Sequence, residues 1–387
     1  MVEPLARGAV EIRLGRVRVR SGGSRASGHA SRTGGSGYVL SAAVNPHPMA
    51  RGGSRAATWD APPNIALVKY WGVRDPALGL PYNSSLSVTL DRMRSRTSVA
   101  FADRPGDDDV VLNGAPATGE PRRAVVALLD RVRGLAGETA RATVRSENNF
   151  PTASGLASSA SGFAALAAAA SDALGLGLTP RALSQLARFG SGSASRSIFG
   201  GFVEWRAGSR GDGADCYARE IYPARHWPAL RDVVALVDRA PVKELRSAVA
   251  MQSSVRTSPG YAGRIAAVPR RLAAIRRAIG RRDAAALFPL VMEECDDFRE
   301  VCETTEPPLD YLTGTSRAVL AEVRSLNRAN GRPIAGYTHD AGAHVHVFTT
   351  TPFVPQLRRR LAAIPGVRST LVVRPGPGAR RVRGPRS

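Results

Sequence analysis

Lysine is nearly absent from this sequence. Among 54 lysine and arginine residues in a chain of 387, two are lysine, Lys69 and Lys243, and 52 are arginine. A ratio that extreme reads as compositional bias, so the formal net charge of +22 says little about partners, and each lysine becomes a position to inspect. Cysteine is scarce too. Cys216, Cys295 and Cys302 are too few for a disulfide framework, and their spacing matches no zinc motif. Aromatic residues make up 6% of the chain, which argues against a specific nucleic-acid binder. No membrane span is expected: the most apolar stretch, 153–178, is built from Ala, Gly, Ser and Leu and carries Asp172. The arginines near the N-terminus flank no apolar segment, so no secretory signal is expected. With 43% hydrophobic residues the chain is too apolar to be wholly disordered. A cytoplasmic enzyme large enough for two domains fits what is left.

Residues 1–56 are rich in Gly, Ser and Arg, with nine arginines against Glu3 and Glu11, and read as a disordered basic tail in which Met49 is a second candidate start. Residues 374–387, with five arginines and no acid, read as another basic tail, so the two tails hold 12 of the 22 net charges. Between them, strands are expected at 65–71, 86–90, 97–102, 109–113, 142–147, 201–205, 233–238, 344–350 and 368–374. Helices are expected at 122–136, 154–175, 180–190, 259–280, 284–303, 316–329 and 352–364. Thr179 is placed to cap the third of these, with Pro180 in its first turn. Early strands followed by later helices make the fold class α+β. The domain boundaries are expected at 57–230 and 231–373.

Four segments carry chemistry. In 148–170, a Pro-, Ser- and Gly-rich turn leads into an Ala-rich helix with no acid between Pro151 and Ala170. Unpaired N–H groups and the positive end of the helix dipole suit an anion there, as equally a tightly packed helix would use the small residues. In 61–75, Lys69 ends an apolar run beside Tyr70 and Trp71, where a compact ammonium or a snorkelling side chain both fit. In 188–205, Arg196 follows a Gly/Ser turn and has the geometry to hold a carboxylate, although it is one of 52 arginines. In 335–348, Asp340 stands at a turn, open to a cleft or bonded to its own backbone. His344 and His346 share a strand face but lack further ligands at useful spacing, so no metal site is assigned.

In this order the segments read NIALVKYWGVRD, LPYNSSLSVTL, NNFPTASGLASSA, GSGSASRSIFGGFVEW and HDAG. Together they resemble the diphosphomevalonate decarboxylases, of the superfamily of galactose, homoserine, mevalonate and phosphomevalonate kinases. The resemblance covers about 57–373 and implies a two-domain fold of that superfamily with the active cleft between an ATP-binding N-terminal domain and a C-terminal domain. It also implies ATP and magnesium as cofactors, mevalonate diphosphate as substrate, and a homodimer. Asp340 would face the tertiary hydroxyl as base or orienter, Arg196 would bind the substrate carboxylate, and Lys69 would lie near the reacting groups with Asn64. Tyr70, Trp71 and Arg74 would shape the substrate side, and Ser191 would contact substrate. Pro151, Thr152, Ser154, Gly155, Leu156, Ala157, Ser158 and Ser159 would hold the ATP phosphates. Val73 stands where the family's second lysine is usual, at a position tied to the substrate's phosphate end. A monophosphate substrate, or a kinase of the same superfamily, therefore stays open beside the diphosphate.

Overall fold

The computed structural model describes residues 55–150, 158–238 and 247–382. In chain order they form β1 (Ala56–Ala61), β2 (Asn64–Val68), β3 (Val73–Asp75), β4 (Leu80–Pro81), β5 (Ser85–Thr89), β6 (Ser95–Ala102), β7 (Asp109–Leu112), β8 (Ala115–Pro116), α1 (Gly119–Ala136), β9 (Arg141–Asn148), α2 (Ser158–Ala173), α3 (Pro180–Ala187) and α4 (Ala194–Ser197). There follow β10 (Phe202–Trp205), β11 (Ala218–Tyr222), β12 (Leu230–Val237), α5 (Ser247–Thr257), α6 (Tyr261–Arg281), α7 (Ala284–Glu303), α8 (Gly314–Ala329), β13 (Ala335–Thr338), β14 (Val345–Thr350), α9 (Val354–Ala362), β15 (Val367–Val373) and β16 (Arg380–Arg381). The tail expected over 1–56 lies outside the described residues except for 55 and 56, and Ala56 already opens β1.

Strand order is β16-β1-β6-β9-β7-β8 in one sheet, β11-β10-β5-β2 in a second and β13-β14-β12-β15 in a third, with β3 and β4 as a separate pair. This is the expected α+β architecture. Along β6, Ser95, Thr97, Val99 and Phe101 point inward while Arg96, Ala100 and Ala102 are exposed, the period-two pattern of a half-buried strand. Helix α2 lies against that inner face. Ala164, Ala165 and Ala167–Ala170 are buried, and side chains this small let the helix approach β1 and β6 closely. Thr179 caps α3 as expected, its hydroxyl accepting from the Ala182 N–H at 3.3 Å.

A second core explains how the site is held. Ile65 and Leu67 of β2 with Leu86 and Val88 of β5 pack through Val268 and Ile275 of α6 and Phe288 and Val291 of α7 onto Val234 of β12 and Phe348 of β14. On the other face of β12, Val233 and Ala235 join Val319, Val323 and Leu357 from α8 and α9. The alternation of β12 therefore feeds two apolar layers, one of which is shared with the N-terminal lobe.

Three expectations need correction. Strand β2 stops at Val68 and not at 71, because side chains claim the peptide groups of Lys69 and Gly72 then turns the chain at φ 104°. No helix is expected over 247–257, yet α5 forms there, with Ser253 buried against the Glu306 carbonyl and Ser254 against Thr305 and Trp71. The segment from 374 is not a tail as far as 382. The Asp91 N–H donates to the Arg374 carbonyl, the Gly376 N–H to Thr89 and the Gly201 N–H to Gly376, and β16 pairs with β1. A Cβ at Gly376 or Gly378 would come within 2.6 or 2.5 Å of neighbouring backbone, so these glycines serve close packing.

Candidate active site

Strand β2 delivers Lys69 to the cleft. The Lys69 N–H donates to Glu294 Oε1 at 2.9 Å, and its carbonyl accepts from Asn83 Nδ2 at 2.9 Å and Arg264 Nη2 at 3.0 Å. Its side chain crosses toward the turn after β13, where Nζ donates to Asp340 Oδ1 at 2.8 Å. The lysine side chain is 3% exposed and the carboxylate 29%, so the pair is buried on the lysine side and open on the other. Burial would raise the Asp340 carboxyl, but the Lys69 ammonium, aided by His346 and Arg196, outweighs it and holds the group below the ordinary carboxylate range.

Arg196 sits in α4, buried behind the Gly/Ser turn. Its Nε donates to Asn64 Oδ1 at 3.0 Å and its Nη1 to Ser85 Oγ at 2.6 Å. Asn64 is fixed in turn by donating to Ser197 Oγ at 2.8 Å. Burial pulls the guanidinium down to about 10, with Asp340 and Tyr70 opposing the shift, so it stays charged at neutral pH. Tyr70 packs edge-on against Trp205, and the Trp71 indole N–H donates to Ser254 Oγ at 3.0 Å.

These groups meet on one cavity of about 230 Å³, whose wall includes Lys69, Tyr70, Trp71, Ser158, Ser159, Ser191, Arg196 and Asp340 together with Met251 and Phe298. A second cavity of about 410 Å³ shares Ser158 and Ser159 with it and runs between Leu112, Val125, Val144, Phe163 and Leu166, with Asn113, Ser146 and Asn148 on its polar side. The first turn of α2 thus separates an apolar slot from the charged cleft, and it carries no acidic residue.

The structure does not bring every expected residue to this site. Pro151, Thr152, Ser154, Gly155, Leu156 and Ala157 lie outside the described residues. Arg74 is absent from the cavity wall, and its Nη2 donates to the Arg210 carbonyl at 3.4 Å on an exposed face. Asn64 reaches the cleft through Arg196. Val73 packs against the apolar cluster of Trp71, Met251 and Phe298. The two strand histidines have other partners: His346 Nδ1 lies 2.6 Å from Asp232 Oδ2, and His344 Nδ1 accepts from the Val237 N–H.

Sequence reasoning missed Glu294, Arg264, Asn83 and Ser85. Asn83 and Ser85 lie within the quoted LPYNSSLSVTL segment, which was a usable signal. Glu294 and Arg264 sit in ordinary helical patterns some 200 residues beyond Lys69, at 225 and 195 positions, and nothing local marks them.

Among the described residues no group of three or more His, Cys, Asp or Glu could hold a metal ion. The donor set instead suits a magnesium ion carried by nucleotide phosphates, which needs few protein ligands: Ser158 and Ser159 offer hydroxyls on the cavity wall. No helix among the described residues is long and apolar enough to cross a membrane.

Residues 61–218 match the model of a diphosphomevalonate decarboxylase-like N-terminal domain, and residues 233–371 that of a mevalonate 5-diphosphate decarboxylase C-terminal domain. A diphosphomevalonate decarboxylase of Aspergillus fumigatus is 43% identical over 308 residues, 76% of each chain. A solved structure of the mevalonate diphosphate decarboxylase from Enterococcus faecalis, described by its mevalonate diphosphate mediated ATP binding mechanism, is 36% identical with a TM-score of 0.77, covering 85% of this chain and 99% of that one. Another, described as MDDEF in complex with MVAPP, AMPPCP and magnesium, is 36% identical with a TM-score of 0.79 over the same shares. The fold, the order of the segments and both family models lead to one conclusion: the chain belongs to the diphosphomevalonate decarboxylase family.

Proposed function

We propose that this chain uses ATP to decarboxylate mevalonate 5-diphosphate, releasing isopentenyl diphosphate, CO2, ADP and phosphate. The observation that carries the reading is the Lys69–Asp340 pair facing Arg196 across a cavity that opens onto the first turn of α2. Membership of the family supports it.

The tertiary hydroxyl of the substrate is a poor nucleophile and needs a carboxylate within hydrogen-bond reach. Asp340 is ionised and its Oδ2 is not bonded to Lys69. Held below the usual carboxylate range, it is a weak base. Its first task is to aim the hydroxyl lone pair, and it takes the proton as the new O–P bond forms. Lys69 places a cation beside the charge that spreads over the transferring phosphoryl group. Arg196 has donors left beyond those given to Asn64 and Ser85, and these orient the substrate carboxylate. When the 3-phosphate leaves, the carboxylate releases CO2 and its electron pair completes the double bond. A grip on that carboxylate tighter in the ground state than in the transition state would slow this step. A buried guanidinium already committed to two fixed partners is suited to aim the group.

The apolar slot beside Phe163 and Leu166 seats the adenine, and the first turn of α2 receives the phosphates. Magnesium bound with the nucleotide would neutralise phosphate charge, and Ser158 and Ser159 are the residues that would hold it. The N-terminal domain over 57–230 and the C-terminal domain over 231–373, a homodimer and a cytoplasmic setting complete the proposal.

Val73 favours a second reading, a monophosphate substrate, because the position it occupies supplies no cation and its side chain packs on apolar neighbours. The test is incubation with ATP, magnesium and mevalonate bearing zero, one or two 5-phosphates. Equal release of CO2 and ADP with the diphosphate supports the proposal. Release with the monophosphate alone supports the second reading, and ADP without CO2 from all three makes the chain a kinase.

A further inference from the structure

The peptide group of Lys69 is gripped by side chains and not by a neighbouring strand. Glu294, fully buried on α7, accepts the Lys69 N–H at 2.9 Å. The same carboxylate also accepts from Arg264 Nη2, and from Arg271 Nη1 at 2.5 Å. Arg264 Nη2 reaches on to the Lys69 carbonyl, where Asn83 Nδ2 donates as well. Arg271 is anchored outward by Glu293 at 2.8 Å and Asp297 at 2.5 Å. An Arg–Glu–Arg group inside a protein adds little stability over apolar packing of the same volume. This one turns Oε1, the oxygen it shares with Arg264, to the peptide N–H of the lysine whose ammonium meets Asp340.

We propose that Glu294, braced by Arg264 and Arg271, is a positioning residue that sets where the Lys69 ammonium stands, acting through the Lys69 peptide. The grip lies just past the end of β2, where Arg264 of α6 and Glu294 of α7 reach the Lys69 peptide of the N-terminal lobe, beside the apolar layer the two lobes share. It ties the nucleotide side of the cleft to the side bearing Asp340. The proposal rests on the decarboxylase reading for its effect on turnover, because there the position of Nζ governs phosphoryl transfer.

The chain's near-lack of lysine makes the test direct. Lysine labelled with 13C at Cε gives two signals in the full-length protein, Lys69 and Lys243, and the Lys69→Met variant assigns them. In Glu294→Gln the Lys69 signal shifts and the Lys243 signal does not. The kcat falls about 10²-fold, the cost of misplacing a reacting group by roughly an ångström, while KM for ATP stays within about twofold. In the Lys69→Met background the same substitution costs nothing further, since the residue it acts through is gone. An unmoved Lys69 signal, or an equal loss of kcat in both backgrounds, overturns the proposal. If Glu294→Gln does not fold, Asn83→Ala removes one donor to the Lys69 carbonyl and no charge. It shifts the Lys69 signal and lowers kcat about 10-fold, and an unmoved signal overturns the proposal there too. If the unsubstituted protein releases no CO2, the decarboxylase reading fails, while the signals still decide whether Glu294 positions Lys69.

Discussion

Asp340 and Lys69 divide one task between a partly open carboxylate and a buried cation. Asp340→Asn keeps the shape and removes the charge, so kcat is expected to fall about 10²- to 10⁴-fold, the range for a lost acid–base group. Near-normal CO2 release from that variant would remove Asp340 from the mechanism. Arg196→Ala is expected to raise KM for the isoprenoid substrate and slow CO2 release while leaving KM for ATP unchanged. It also strands Asn64 and Ser85 in the interior, at a cost of about 1–3 kcal/mol to stability. Steady-state kinetics and urea unfolding of the same preparation read both effects. His339 makes a separate prediction. Burial drives its imidazole down to about 4 from 6.5, and its Nδ1–H donates to the Asp340 carbonyl. Between those two values the unfolded chain binds a proton that the folded protein refuses, so stability is lost as pH falls through that window, by roughly 3 kcal/mol in all. Unfolding free energies of His339→Asn should fall less steeply with acid than those of the unsubstituted protein, and parallel slopes would show that the imidazole titrates normally. Residues of this kind were readable where their type and their neighbours in sequence both signalled chemistry, as with Lys69 and Asp340. The role of Arg74 is an expectation of the family resemblance, and the structure instead sets its Nη2 on the Arg210 carbonyl, off the cavity wall.

At the scale of elements, α2 does most to organise the site. Its alanines seat it against the sheet, and its first turn divides the two cavities. Gly162 lines the apolar slot, and open space surrounds the position a Cβ would take. Gly162→Leu is therefore expected to stabilise the helix by about 0.5–1 kcal/mol through propensity and yet to raise KM for ATP several-fold by filling the slot. Thermal unfolding and nucleotide titration measure the two effects, and an unchanged KM would place the adenine elsewhere. The helix was legible from its Ala-rich run, and its neighbour α3 from the Thr179–Pro180 start. The slot was not, because it is made by β6, β7, β9, α1 and α2 together. The length of β2 was misread for a related reason. Apolar alternation continues through Tyr70 and Trp71, but the strand ends where Glu294, Arg264 and Asn83 capture the Lys69 peptide.

Across the whole molecule, one apolar layer from β2 and β5 through α6 and α7 to β12 and β14 joins the lobes whose side chains form the cleft. The return of the chain through 374–382 adds a second tie, pairing β16 with β1 and packing Gly376 and Gly378 against backbone. Ending the chain after Arg374 should lower the melting temperature by several degrees, since it removes backbone hydrogen bonds to Thr89, Ile198, Gly201 and Thr58. A melting temperature equal to that of the full chain would make the segment a tail after all. By itself the sequence determined the α+β class, most helices and strands, and the set of segments that identify the family, because each rests on local periodicity, capping and short motifs. Only the tertiary structure decided which polar groups meet: Lys69 with Asp340 across 271 residues, Arg196 with Ser85 across 111, and Glu294 with the Lys69 peptide across 225. Local propensity carries no information about such distances. They are set by how two sheets and the helices between them pack into a shared core, and that packing places one buried lysine where the chemistry needs it.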